Sequence, residues 1–382
     1  MATRPETLPA PATTDEERAY VASQWKLVWW RFRRHRLALV GAGFVIAFYV
    51  VAIFPEFLAI HDPRAASDAR FYHPPQRVHF LDGWRPARPY VYGIEQFRDP
   101  VTLAVGYKAD ESKRLPILFF VQGHEYEMWN LFKTNMHLMG VDEPDDGKPM
   151  PFYPLGTDRM GRDMFSRLMY ATRISMSIGL VGVLVSLFLG VLLGGISGYR
   201  GGLVDAAIQR MIEFLRSIPT IPLWLALAAA VPQDWSMTKV YFAITVIISL
   251  IGWTTLAREV RGRFLAMREE DFVVAARLYG SGQMRIIFRH MLPSFMSHVI
   301  ATTSLAVPAI IIAETSLSFL GLGLRQPAIS WGVLLFEAQK LQAVAAAPWL
   351  LIPGAFILLA VLSLNFLGDG LRDAADPYSV QR

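Results

Sequence analysis

The sequence predicts an all-α membrane protein with about six transmembrane helices and a small mixed extracytoplasmic insert. Two observations carry this. Of 382 residues, 53% are hydrophobic and only 18% charged, too apolar for an ordinary soluble domain. The apolar residues also fall in blocks close to the length that crosses hydrocarbon as helix, with almost all the charge between them. Backbone groups in lipid must be satisfied within the segment, so helix is the default for each block. There is no cysteine, which excludes disulfides, thiolate metal sites and a cysteine nucleophile.

The first 17 residues are polar and rich in Pro and Thr, and are read as disordered. A basic aromatic stretch containing Trp25, Lys26, Trp29, Trp30, Arg31, Arg33, Arg34 and Arg36 follows. The first apolar run, 37–60, is too long for the core of a cleaved signal and is read as a retained anchor. Further spans are placed at 174–197, 211–231, 240–256, 295–319 and 349–367. Pro219 and Pro222 soften the limits of the third. Gly190, Gly194, Gly195 and Gly198 suit close helix packing in the second.

Charge sets the expected sidedness. The cations before the first span put the N-terminus in the cytoplasm. Counting spans then places 257–294 inside, where Arg258, Arg261, Arg263, Arg268, Arg277, Arg285 and Arg289 lie. The organisation follows: a cytoplasmic tail 1–36, a first helix 37–60, and an extracytoplasmic insert with an interfacial helix 61–172. A five-helix core 173–367 with the cytoplasmic loop 257–294 comes next, and then a cytoplasmic tail 368–382. Within the insert, 71–92 reads as irregular, 115–121 as a strand, 124–138 as a helix and 141–154 as a loop. Its aromatic residues favour a folded subdomain over a disordered one. Thr157 or Asp158 can cap an amphipathic helix with Met160, Met164, Phe165, Leu168 and Met169 on its apolar side. Arg159, Arg162, Asp163 and Arg167 lie opposite, as on an interfacial helix.

The most informative polar segment is 268–293. Asp271 follows two glutamates at the start of a short helix, where the dipole favours acids. Gly280 and Gly282 suit a left-handed stop and a turn, a second, basic helix follows, and Pro293 can open the next span. The small side chains of Ala275 and Ala276 would let a partner approach the backbone closely. A plain basic loop held by anionic headgroups is the alternative reading.

This segment resembles the loop of ATP-binding-cassette importer permeases with the pattern Glu-Ala-Ala-x3-Gly-x9-Ile-x-Leu-Pro. Ala275, Ala276, Gly280, Leu292 and Pro293 fall on it, while Val274 stands for the Glu and His290 for the Ile. Both departures, together with Arg277 and Arg289, are similar to the dipeptide/oligopeptide/nickel branch. Two other stretches resemble the same branch: 155–168 running into Thr172-Arg173-Ile174-Ser175, and 313–323 followed by Ser330-Trp331-Gly332. The resemblance covers the first span and the chain from about residue 154 onward. The segment 61–153 is longer than the usual loop there.

The resemblance implies a permease subunit that translocates a substrate, short peptides first among the candidates, with oligosaccharides, opines or nickel chelates as alternatives. It implies a second homologous permease, two ABC ATPases, an extracytoplasmic substrate-binding protein and membrane lipid as partners, and no nucleic acid. ATP and Mg belong to the ATPases. No Gly-x-x-x-x-Gly-Lys-Ser/Thr occurs here, so this chain is expected to bind no cofactor and to be no enzyme. The expected ATPase-coupling residues are Asp271, Ala275, Ala276, Arg277, Gly280, Arg289, Leu292 and Pro293. Glu314, Ser316 and Asn365, polar residues near span ends, are candidates for the translocation path. Glu213 is a weaker one. His61, His73, His79, His124 and His137 lack ligand spacing, so no metal site is expected. The rival class is an ion-coupled secondary transporter, which predicts inverted repeats and midspan charges that are not seen.

Overall fold

The structure is a computed structural model and describes residues 24–67, 70–82, 85–98, 100, 105–141, 152–232 and 234–375. The N-terminal stretch 1–17 and most of the 141–154 loop lie outside these residues. The elements, in order, begin with α1 (Gln24–Phe32), α2 (Arg36–Ile53) and α3 (Pro55–Leu58). Four strands follow: β1 (His79–Asp82), β2 (Arg85–Arg98), β3 (Val105–Met128) and β4 (Phe132–Val141). Then come α4 (Met164–Arg200), α5 (Gly202–Ser217), α6 (Thr220–Ala229), α7 (Met237–Met267) and α8 (Asp271–Leu278). The chain continues through α9 (Gln283–Arg285), a π-helical stretch Ile286–Met291, α10 (Leu292–Ser294) and α11 (Met296–Phe319). It closes with α12 (Trp331–Glu337), α13 (Leu341–Ala346), a 3-10 turn Pro348–Leu351 and α14 (Ile352–Ala375).

Among the described residues, five helical segments are long and apolar enough to cross a membrane, or up to 6 if the bent pair α5–α6 is one span. The expected all-α multi-span architecture holds, with changes in its parts. The span read at 211–231 is two helices meeting at 86°. Pro219 caps α6 and Pro222 sits in its first turn, so the chain turns at Ile218 where the prolines cannot extend α5. The interfacial helix is not separate either. Asp163, not Thr157 or Asp158, caps α4, accepting from Phe165 N and Ser166 N at 3.1 and 3.0 Å. From there a single helix of 37 residues, about 55 Å long, runs through the second span and beyond it.

Small residues set the packing of that helix. Gly190, Gly194 and Gly198 repeat every fourth residue on the face that meets α7. A Cβ on Gly194 would stand 2.4 Å from the Ala257 carbonyl oxygen, and one on Gly198 2.7 Å from that of Arg261. The two backbones therefore touch, as small-xxx-small faces allow. Contacts of Ser177 with Tyr241 and of Gly198 with Arg261 make α4 and α7 parallel. Gly179 meets Ile311 and Val307, and Ser175 meets Glu314, so α11 runs the other way. Gly41 meets Ser363 and Gly370 meets Ala38, so α2 and α14 are antiparallel. The start of α2, the 268–293 segment and the end of α14 thus share one end of the bundle, and the strands lie at the other.

The insert is a four-stranded antiparallel sheet of order β1-β2-β3-β4. The strand expected at 115–121 is present, but 124–138 is a hairpin rather than a helix and 71–92 contains β1 and most of β2. Tyr126 of β3 and His137 of β4 are buried with their rings 5.0 Å apart, a contact that the pairing of the two strands creates. Val91, Leu115, Ile117 and Phe152 form its small core. β3 serves two partners, its first part pairing β2 and its last part β4, with register shifts in each ladder. The imidazole of His137, bonded through Nδ1 to the Ala59 carbonyl at 2.6 Å, ties the sheet to the end of α3.

Candidate functional site: the 268–293 segment and the two polar hubs

At the end of the bundle away from the sheet, α8 and the π-helical stretch make a compact cap. Val273 and Ala276 of α8 pack with Ile286, Ile287, Met291 and Leu292 against Phe264 of α7 and Phe295 and Val299. The expected helix–turn–helix is present, and its turn is a Schellman stop. Gly280 has φ +73°, its N–H donates to the Arg277 carbonyl, and Ser281 N reaches back to Ala276 O at 3.1 Å. No atom lies within 4 Å of a Cβ placed there, so conformation rather than space requires the glycine.

The cap is fastened at two further points. The Arg277 guanidinium lies 5.7 Å from the Tyr199 ring centre at the end of α4. Arg200 Nε donates to Gln283 Oε1 at 2.9 Å. Among the charged side chains of its surface the cap also presents large apolar ones. Leu278 and Tyr279 are 83% and 91% exposed, and Phe272, Met284 and Phe288 of the same cap are exposed as well. Asp271, Ala275, Arg277, Gly280, Arg289 and Pro293 are exposed on the same cap, while Ala276 and Leu292 are buried in its base. The eight expected coupling residues therefore divide into a surface set and a foundation set.

At the sheet end, the two other motif stretches fold onto each other. Asp158 is fully buried: its Oδ2 accepts from Arg162 Nε at 2.7 Å and from Arg167 Nη1 at 2.5 Å. Its Oδ1 accepts from the backbone N–H of Met160 and Arg162. Arg162 continues to Glu337 Oε1 at 2.9 Å, an oxygen that Gln326 Nε2 also reaches at 2.9 Å. Burial, and then the nearby Asp158 charge, push the Glu337 carboxyl above its ordinary range, while Arg167 and Arg162 pull it back. Arg162, Asp163 and Arg167 are all buried, so the polar side of the expected interfacial helix faces protein rather than water.

Glu314 forms the second hub. It lies in α11 with no exposed surface, and its carboxylate accepts from Ser330 at 2.7 Å, Ser318 at 2.8 Å and Ser175 at 3.5 Å. Ser175 in turn accepts from Trp331 N, and Thr172 Oγ1 accepts from Trp331 Nε1. Serine hydroxyls from three segments therefore satisfy the buried carboxylate. Ser316 is exposed on the opposite side of α11, and Asn365 is half-buried in α14. The three path candidates are not brought together.

A cleft that sequence reading missed opens at mid-depth between α4, α6, α7 and α11. Its volume is about 360 Å³, and Val183, Ser186, Trp224, Ile248, Gly252 and Thr302 are among its lining residues. Among the described residues no ionisable side chain lines it. Ser186 Oγ and Trp224 Nε1 are buried at its wall with no partner among the described residues. Single hydroxyls and indoles scattered over four helices leave no pattern in sequence, which is why only assembly reveals them.

Residues 190–378 match the family described as binding-protein-dependent transport system inner membrane component. Residues 23–75 match the N-terminal TM domain of oligopeptide transport permease C. The oligopeptide transport system permease protein OppC of Bacillus subtilis is 34% identical over 264 residues, 69% of this chain and 82% of the relative. The chain belongs to the binding-protein-dependent permease family of ABC importers. OppC of Haemophilus influenzae is 37% identical over 68% of this chain and 78% of its own length. The dipeptide transport system permease protein DppC of B. subtilis is 38% identical over 58% and 68% respectively.

This permease is thus a multi-span transmembrane subunit of an ABC importer in the inner membrane, and ATP hydrolysis resides on partner chains. The sheet, β1 to β4, falls between the two matched regions, in the part of the chain that neither family description covers. The cap 268–293 and Glu314 itself lie inside the longer match, while the Asp158 loop and Ser175 precede it.

Proposed function

We propose that this permease carries short peptides inward, receiving them from an extracytoplasmic binding protein on its sheet side. In this reading one of two ATPases seats on the 268–293 cap, and a second homologous permease completes the passage. The observation that carries it is the cap: an exposed apolar knob, Leu278 and Tyr279, on a base packed against three long helices. A knob so mounted transmits displacement, because a close-packed base moves as a unit rather than deforming. ATP-driven closure would then move α7 and α11 together and alternate the access of the passage. Peptide cargo is supported by the names of the relatives, which are oligopeptide and dipeptide permeases.

Sidedness has a physical support as well. Lys26, Arg31, Arg33, Arg34, Arg36, Arg263, Arg268, Arg277, Arg285 and Arg289 all belong to the end of the bundle that carries the cap. Cations near span ends favour the cytoplasmic face, so both termini and the cap are assigned there. Co-purification from native membranes tests the assembly. Two ATPases and a second permease are expected to accompany the full chain; a chain that purifies without an ATPase contradicts the reading.

For the path itself, the mid-depth cleft is a better candidate than Glu314, whose oxygens are already engaged. An uncharged wall with an unpaired hydroxyl and indole N–H suits the carbonyl groups of a peptide backbone and is indifferent to its side chains. Glu314 then serves to position α12 against α4 and α11. A Cβ on Gly252 would come 2.7 Å from Ser186 Oγ, so Gly252→Leu fills the cleft at that hydroxyl. Uptake is expected to fall to background while the ATPases still co-purify. Undiminished uptake in a fully inserted Gly252→Leu protein would remove the cleft from the path.

A further inference from the structure

The β3–β4 hairpin ends in a turn that the transport reading does not use. Trp129 and Asn130, its central residues, have φ of +51° and +57°, and Leu131 N donates to Met128 O at 2.9 Å. Positive φ at both positions is the type I′ pattern, for which Asn-Gly or Gly-Gly is the unstrained choice. A tryptophan held in that region is strained, and such strain persists where the surroundings enforce it.

Here the surroundings are the end of a span. The Trp129 indole N–H donates to the Ile53 carbonyl, the last residue of α2, at 2.8 Å, and its ring lies 5.5 Å from that of Phe54. Phe120, also at positive φ (+58°), lies 6.2 Å from the Phe57 ring. The side chains around this contact are turned outward: Leu131 is 77% exposed, Phe120 65% and Phe132 51%.

The patch does not stop at the hairpin. Ile46, Val50 and Ile53 are exposed along α2 at spacings of four and three, one continuous stripe of a helix apolar enough to span the membrane. Helix and hairpin tip together form a single apolar face whose upper limit is marked by an indole. Aromatic rings with a polar edge concentrate at that level of a bilayer, the ring body in the acyl boundary and its N–H satisfied. A protein covering the tip would have to follow the same stripe down into hydrocarbon to cover it all.

We propose that the β3–β4 tip is a membrane-interface anchor, seating Phe120, Trp129, Leu131 and Phe132 among the headgroups and upper acyl chains beside α2. Besides its covalent joins to α3 and α4 and the His137 bond to Ala59, the sheet is then held by the tip, which fixes its tilt over the bundle. This depends on α2 being a span and not on the cargo.

The chain has no cysteine, so a single introduced one reports alone. Leu131→Cys and, as control, the exposed Lys108→Cys on the β2–β3 hairpin would carry a nitroxide in the full chain reconstituted into phosphatidylcholine vesicles. Collision with membrane-dissolved oxygen and with an aqueous nickel chelate is then read by power saturation. At position 131 oxygen access should exceed nickel access several-fold, and at 108 the order should reverse. Nickel access at 131 equal to that at 108 would put the tip in water and overturn the proposal. Shielding of 131 from both reagents would mean that protein covers it, and would overturn the proposal equally.

Discussion

Asp158→Ala is expected to destabilise the protein by about 3–5 kcal/mol, the cost of leaving a buried charge without its partner. The carboxylate holds Arg162 and Arg167 together, and Arg167 is 1% exposed with its Nε already lacking a partner among the described residues. Removal of Asp158 strands that guanidinium between α4 and the loop before it. It also frees Arg162 from one of its two acids, so the link to Glu337 and α12 loosens. The check is the midpoint of thermal unfolding in detergent, read as loss of monodisperse protein. Arg159→Ala, one residue away and exposed, should stay within about 0.5 kcal/mol of wild type. Equal stability of the two variants would mean that the buried network does not hold this end of the bundle.

The second large effect is expected at the cap. Leu278→Asp combined with Tyr279→Asp places two charges where the proposed ATPase groove must exclude water. Truncating a buried aromatic anchor at an interface costs about 2 kcal/mol or more, roughly thirtyfold in Kd, and a carboxylate adds desolvation. Both side chains are almost fully exposed, so the permease itself should insert and melt like wild type. ATPase recovered on co-purification should fall by up to the same factor. Gly280→Arg should act through a different cause. A side chain at φ +73° strains the Schellman stop, and the charge stands beside the knob. Its loss of ATPase should therefore be partial, and smaller than that of the double aspartate variant.

Much of this was legible in the sequence because membrane physics leaves few options. Apolar runs of spanning length must be helices, and five of the six assigned spans coincide with helical segments apolar enough to cross. The cap was readable because a Gly at the end of a short amphipathic helix announces its own stop. The failures share a cause. The 124–138 segment has polar and apolar residues mixed closely enough for either period, and only pairing of β4 with β3 decides it. The α5–α6 bend turns on Pro219 and Pro222, and such a pair of prolines in a sequence marks soft limits without giving the angle of 86°. Arg162, Asp163 and Arg167 look like a wetted helix face until α12 and Gln326 are folded over them, a contact that joins residues more than 150 positions apart. The bonding of Glu314 is hidden from the sequence for the same reason, since its serines come from three separate segments.

The central claim is that the exposed knob on the 268–293 cap is where an ATPase seats. A cysteine at Tyr279 tests it most directly, because the chain contains no other. Tyr279→Cys would be treated in native membranes with a short bifunctional maleimide, and the products separated by mass. The account predicts a cross-link to an ATPase subunit, and protection of that cysteine from a bulky aqueous maleimide while the complex is assembled. A Tyr279→Cys thiol that stays freely accessible in a complex retaining its ATPases would contradict it.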